Sequence, residues 1–122
     1  MPRSARNEGY SRRHRFADRG SFGPVLRSSR KLRGQFAIIH VLQGRAGVSR
    51  FGVALTKRLV PDSVDRNRVK RVAREAFRRH PCKGAGLDCV LTLRERITGI
   101  DDAALSAEFA SLLDRVASAG PR

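Results

Sequence analysis

Between positions 66 and 79 the chain reads Arg66-Asn67-Arg68-Val69-Lys70-Arg71-Val72-Ala73-Arg74-Glu75-Ala76-Phe77-Arg78-Arg79, seven basic residues with a single acid. Guanidinium and ammonium groups at this density suit the binding of phosphate groups, which they meet through charge-assisted hydrogen bonds. Val69, Val72, Ala73, Ala76 and Phe77 fall at i, i+3, i+4, i+7 and i+8, so the spacing predicts an amphipathic helix with one apolar stripe. Asn67, Arg71, Arg74 and Arg78 repeat at steps of four, three and four on the opposite side, flanked by Arg68 and Lys70. Glu75 stands four residues after Arg71, placed to pair with one neighbour. The remaining charges repel one another until an anionic partner neutralises them. A solvated face normally mixes signs, and this one does not.

Bond-breaking chemistry has no comparable signature. His14, His40 and His80 are scattered, the serines lack a nucleophile-elbow context, and no glycine-rich loop carries the lysine of a phosphate cradle. Hydrolysis of a phosphodiester by protein groups needs clustered carboxylates around metal ions or a converging acid–base pair. Residues 1–80 hold only Glu8, Asp18, Asp62, Asp65 and Glu75, none paired at ligand spacing. Asp101-Asp102 is explained by the start of a helix. His80, Cys82 and Cys89 match no zinc pattern, and Cys89 reads as a strand residue. No catalytic residue and no metal site is therefore expected in the polypeptide.

The whole chain has 122 residues and a formal charge of +15, one domain with a modest core and a polyanionic partner. Residues 1–80 carry 21 Lys and Arg against 5 acids, and residues 81–122 carry 5 against 6, a balance of +16 against −1. The binding surface must lie in the first two thirds. The absence of a signal-like or membrane-length apolar run predicts a soluble protein of the cytoplasm, where two cysteines stay reduced.

The scaffold for the basic helix is legible in outline. Residues 1–15, with Arg3, Arg6, Arg12, Arg13 and Arg15 and little apolar besides Tyr10, are expected to form a disordered basic arm. Phe22, Val25 and Leu26 predict a short helix capped by Ser21, with Pro24 in its first turn. It ends in the polar break Ser28-Ser29-Arg30-Lys31. Residues 35–42 and 50–56 predict two strands, and the glycine-containing loop from Gln43 to Val48 suits an antiparallel hairpin between them. Gly52 and Ala54 share one face of the second strand, leaving room for a ligand or for a packed helix. Ser63 or Asp65 caps the basic helix. His80-Pro81 stops it, and Leu87 to Leu93 form a third, interior strand, so one strand pair is parallel. A last helix runs from Asp101-Asp102 to about Val116 on the stripe Leu105, Phe109, Leu112, Leu113 and Val116, ended by Gly120-Pro121. These elements predict an α+β two-layer sandwich at residues 16–117, about four strands in one mixed sheet with three helices, followed by a tail at 118–122.

The residues thus describe a nucleic-acid binder, with basic side chains for phosphates and an aromatic such as Phe22 for stacking on an unpaired base. A structural RNA binder of the ribosomal-protein type and a DNA-binding regulator share that charge. The block Arg66-Asn67-Arg68-Val69-Lys70-Arg71 followed by Arg74-Glu75-Ala76-Phe77-Arg78 resembles the signature helix of the bacterial ribonuclease P protein component. Phe22-Gly23-Pro24-Val25, the segment from Gly52 to Arg58, and Leu87-Asp88-Cys89-Val90 resemble that family's flanking motifs, over roughly residues 15–116. Leu59-Val60-Pro61-Asp62 stands where the family usually has a glycine, and Leu26 where relatives are often aromatic. The resemblance implies a left-handed crossover through the basic helix, against the right-handed default. It also implies a subunit that binds a catalytic RNA and the 5′ leader of precursor tRNA, with Mg²⁺ held mainly by the RNA and no small-molecule substrate or membrane partner. By position, Arg66, Asn67, Arg68, Lys70, Arg71 and Arg74 would meet the RNA, bound metal or leader, joined by Arg78 from the stripe. Phe22, His40 and Lys57 would line the leader cleft.

Overall fold

A computed structural model describes residues 22–27, 30–44, 47–97 and 101–119. The basic arm, the Ser21 cap and the Gly120-Pro121 stop expected from the sequence lie outside them. The described chain runs α1 (Phe22–Leu26), β1 (Arg30–Arg33), β2 (Ala37–Gln43), β3 (Arg50–Val53), α2 (Ser63–Arg79), a 3₁₀ turn (Pro81–Gly84), β4 (Leu87–Leu93) and α3 (Asp102–Ala119). The strands form one sheet in the order β1-β2-β4-β3, antiparallel except for the parallel pair β3–β4. This is the α+β architecture that the periodicities predict, with β4 interior and the parallel pair bridged by the arginine-rich α2.

Two expectations are corrected. The segment read as a polar break contains a strand, β1, whose Arg30 and Arg33 lie opposite Val41 and Ile38 of β2. The antiparallel hairpin is therefore β1–β2 rather than β2–β3, and β4 lies between β2 and β3. The reason is a better partner: β2 pairs with β4 along its full length, from Ala37 opposite Leu93 to Gln43 opposite Leu87, and both are rich in buried apolar residues.

Alternation assigns the two faces of the sheet. Ala37, Ile39 and Val41 of β2, Phe51 and Val53 of β3, and Leu87, Cys89, Leu91 and Leu93 of β4 face the core shared with α2 and α3. There α2 contributes Val69, Val72, Ala73 and Phe77, and α3 contributes Leu105, Phe109, Leu112, Leu113 and Val116, as the helical spacings predict. Phe77 stacks on Phe51 with ring centroids 4.8 Å apart and planes 12° from parallel, tying α2 to β3. The other face carries His40 and Val90 side by side and is covered in part by α1, whose buried Val25 packs toward β2 and β4.

Polar side chains close the ends. Ser49, fully buried, donates to the Cys82 carbonyl at 2.6 Å and accepts from the Leu87 amide at 3.0 Å, joining the start of β3 to that of β4. Glu108 of α3 accepts the amides of Phe36 and Ala37 at 3.0 and 3.2 Å. A Cβ at Gly34 would stand 2.1 Å from that carboxylate oxygen, so a larger residue in the turn of the β1–β2 hairpin would have to push Glu108 off the two amides. No helix among the described residues is long and apolar enough to cross a membrane.

Phe77 and Phe51 are each about 1% exposed or less. Phe77→Ala is expected to lower the unfolding free energy by about 3–5 kcal/mol. Urea unfolding should show a reduced midpoint at an unchanged slope, and a loss below about 1 kcal/mol would remove this pair from the core.

Candidate nucleic-acid interface

Asp62, in extended backbone, is the N-cap of α2; its carbonyl accepts the Arg66 amide at 3.0 Å and its side chain makes no capping bond. The cap is thus neither Ser63 nor Asp65, although Asp65 sits in the first turn where the helix dipole favours an acid. Arg78 and Arg79 complement the other end of the dipole. The helix stops where His80 turns extended, its amide bonding back to the Phe77 carbonyl ahead of Pro81.

The apolar stripe is buried, so the opposite stripe faces outward: Asn67, Arg71 and Arg74 are exposed and Arg78 is half-buried. These cations are not equivalent. Arg66 sends Nη1 to the carbonyls of Val60 and Pro61, at 2.9 and 2.8 Å, and fixes the loop that enters the helix. Arg68 Nη1 and Arg71 Nη2 share the carboxylate of Asp102 at 2.7 and 3.1 Å, and Asp65 lies 3.9 Å from Arg68 Nε. Glu75 does not take Arg71, as its spacing suggested, nor a single partner. It binds Arg78 through both oxygens and Arg79 at 3.0 Å, and Arg78 chiefly holds its carboxyl below the usual carboxylate range. Among the described residues, Lys70 and Arg74 have no ion pair and no side-chain hydrogen bond.

Asp102 is the partner that sequence reasoning missed. The pair Asp101-Asp102 reads as a cap, and Asp101 does cap α3, accepting the Ala104 amide at 2.8 Å. Asp102 instead reaches across to α2. Between the helices lies a groove of about 330 Å³ lined by Arg71, Val72, Glu75, Asp102 and Ser106. The signal available in sequence is the doubled acid where one suffices for capping.

The second candidate region is the sheet face under α1. Phe22 is half-buried on α1. His40 is 8% exposed, lies between Lys31 of β1 and Val90 of β4, and its Nε2 is 3.0 Å from Thr92 Oγ1. Its Nδ1 is buried with no hydrogen-bond partner among the described residues. Burial, then the charges of Lys31 and Arg33, push its pKa below the ordinary value. Lys57 is exposed on the turn that follows β3, and among the described residues no hydrogen bond or ion pair ties it to Phe22 or His40. Gly52 and Ala54 are part-exposed on the His40 side, while α1 packs over β2 and β4. The same face holds Asp88, which receives Nε and Nη2 of Arg50 at 3.0 and 2.7 Å, a pair not foreseen from the sequence.

The remaining chemistry-bearing residues are committed to structure. His80 accepts the Cys82 amide at Nδ1 and holds Asp114 at 2.6 Å through Nε2. Cys82 and Cys89 are buried free thiols, that of Cys82 pushed up to about 12 by burial and that of Cys89 higher still.

These pairings rank the arginines. Arg74→Ala should lower the slope of log affinity for RNA against log salt by about 0.7 to 0.9, and Arg71→Ala by less, because Asp102 already neutralises part of Arg71. Equal slopes for Arg74→Ala and the parent chain would make the stripe a solvated face. For His40, the folded pKa lies below 6.5, so the neutral ring's contribution to stability is complete above pH 6.5 and is lost as pH falls through the folded value. Stability curves of His40→Gln should therefore decline less steeply on the acid side of pH 6.5 than those of the parent; identical acid limbs would contradict this.

The family model described as Ribonuclease P matches residues 10–117. The ribonuclease P protein component of Stutzerimonas stutzeri is 32% identical over 111 residues, covering 90% of this chain and 85% of that protein. That of Nitrosomonas eutropha is 39% identical over 71 residues, 58% of this chain but only 59% of the relative's length. The solved RNase P protein from Thermotoga maritima shares the fold, with a TM-score of 0.71 at 24% identity over 84% of this chain and 97% of that one. With the match running from before α1 through α3 and taking in the basic helix, this chain belongs to the ribonuclease P protein family.

Proposed function

We propose that the chain is the protein subunit of ribonuclease P, acting in the cytoplasm to help a catalytic RNA remove the 5′ leader of precursor tRNA. The observation that carries this reading is the exposed cationic face of α2, with Arg74 and Lys70 uncompensated among the described residues. Its division of labour is physical. The α2 stripe neutralises phosphates of the RNA subunit, releasing counterions. The sheet face at α1, with Phe22 and His40 and the exposed Lys31 beside it, takes the single-stranded leader by stacking and charge. Family membership favours this role over a ribosomal-type structural binder or a DNA-binding regulator.

The polypeptide itself breaks no bond in this reading. In this reading Mg²⁺ belongs to the RNA, while the carboxylates beside the cations are engaged with them, Glu75 and Asp102 with arginines of α2 and Asp88 with Arg50 on the sheet. Among the described residues no three His, Cys, Asp or Glu side chains group as a metal cage. His40 and His80 each hold structural hydrogen bonds on different elements. What this chain's residues supply is binding and orientation of two RNAs.

Reconstitution with the RNA subunit tests the proposal. The chain should raise affinity for precursor tRNA above that for mature tRNA, and Phe22→Ala, shown folded by circular dichroism, should shrink that difference by about 1–3 kcal/mol. Chain freed of RNA should leave precursor tRNA intact at any Mg²⁺ concentration. Site-specific 5′ processing by RNA-free protein, or no effect of the protein on RNA-dependent cleavage, would overturn it.

A further inference from the structure

A second cationic surface lies away from α2, at the turn of the β1–β2 hairpin. Arg94, just past β4, sends Nη1 to the Gly34 carbonyl at 2.9 Å, and its amide bonds the Phe36 carbonyl at 3.0 Å. Arg115, near the end of α3, sends Nη1 to the Arg33 carbonyl at 2.6 Å. Two guanidinium groups distant in sequence therefore converge on adjacent carbonyls of the turn, one of them that of Arg33, whose own side chain is exposed.

These arginines differ from those of α2 in how they are held. Arg68, Arg71, Arg78 and Arg79 meet carboxylates, which cancel charge. Arg94 and Arg115 meet carbonyls, which order the guanidinium and leave its charge whole. Among the described residues, Arg33, Arg94 and Arg115 have no ion pair. Of the acids beside them in space or sequence, Glu108 has its Oε2 committed to two backbone amides, Asp114 holds His80, and Glu95 is exposed. Each guanidinium has five donors and spends one on the turn, so most remain for a planar oxyanion ligand.

Position separates this surface from the α2 stripe. On α3, Asp102 and Ser106 face α2, whereas Glu108 and Arg115 reach the hairpin turn. The sheet order places β1 and β3 at opposite edges, with α2 packed toward β3 and α3 toward β1 and β2. We propose that Arg33, Arg94 and Arg115 form a second phosphate-binding surface that grips a different segment of the RNA subunit from the one met by α2. The pre-ordered guanidiniums lose little further freedom on binding, which favours a backbone contact over a transient one. This proposal rests on the chain binding an RNA subunit.

The test is a salt series of affinity for the RNA subunit, using the full chain and the variants R94Q/R115Q, R94K/R115K, Arg33→Gln and Arg74→Ala. R94Q/R115Q should lower the salt slope by about 1.4 to 1.8, so that affinity falls roughly 7- to 12-fold less between 50 and 200 mM salt than for the parent. R94K/R115K should keep the parent slope, since charge is retained. Arg33→Gln leaves both braces of the turn in place and should lower the slope by about 0.7 to 0.9 even if the double glutamine variant fails to fold. An unchanged slope in Arg33→Gln and in folded R94Q/R115Q, beside a lowered one in Arg74→Ala, would make these arginines turn braces only and leave the proposed function standing. Salt-independent or absent binding by the parent chain would instead sink the function and this surface together.

Discussion

β3 and β4 run parallel, and parallel neighbours cannot be joined by a tight turn; the chain must cross the sheet and return, which takes a helix. That helix is α2, so the element with the densest positive charge is also the one the sheet cannot close without. Its inner face is fixed by Val69, Val72, Ala73 and Phe77 against the core. Its outer face is consequently held in one orientation, with no freedom to turn its arginines inward. Cationic surface and fold are two sides of one crossover.

Crowding cations on a rigid face costs electrostatic repulsion, and the structure offsets it locally. Glu75 sits within the helix itself, one turn before the two arginines it binds, and Asp102 comes from the neighbouring helix, where the N-terminal dipole of α3 already favours a negative charge. Both carboxylates are about half exposed, so their pairs are screened and modest. They order arginine side chains while leaving those of Arg71 and Arg79 largely exposed.

Periodicity made both long helices legible, because each buries a regular stripe whose spacing survives in the sequence. β4 was legible as a run of interior residues. β1 was not, because an edge strand buries little: Arg30-Lys31-Leu32-Arg33 has one apolar residue to mark it. The strand order was misread for a different reason. Gly44 and Gly47 look like hairpin residues whichever partner the strand takes, and β2 prefers β4, more than forty positions onward, through side-chain matching that no local pattern displays. At the site, the sequence marked the cations but not their counter-ions, since Asp102 lies 34 and 31 residues from the arginines it joins. Nor could it mark the hairpin arginines, whose acceptors are backbone carbonyls and carry no residue identity.

The two thiols sit on the core side of the sheet, Cys82 at 3% and Cys89 at 1% exposure, both far from ionisation at neutral pH. Alkylating reagents attack thiolates in contact with solvent, so in the native chain they must await an opening of β4 or of the 3₁₀ turn. The rate of labelling therefore measures how often the roof over the core lifts. With both native thiols buried, a cysteine introduced on an exposed face should react first, so that fluorophores or crosslinkers can be attached without prior removal of the native pair.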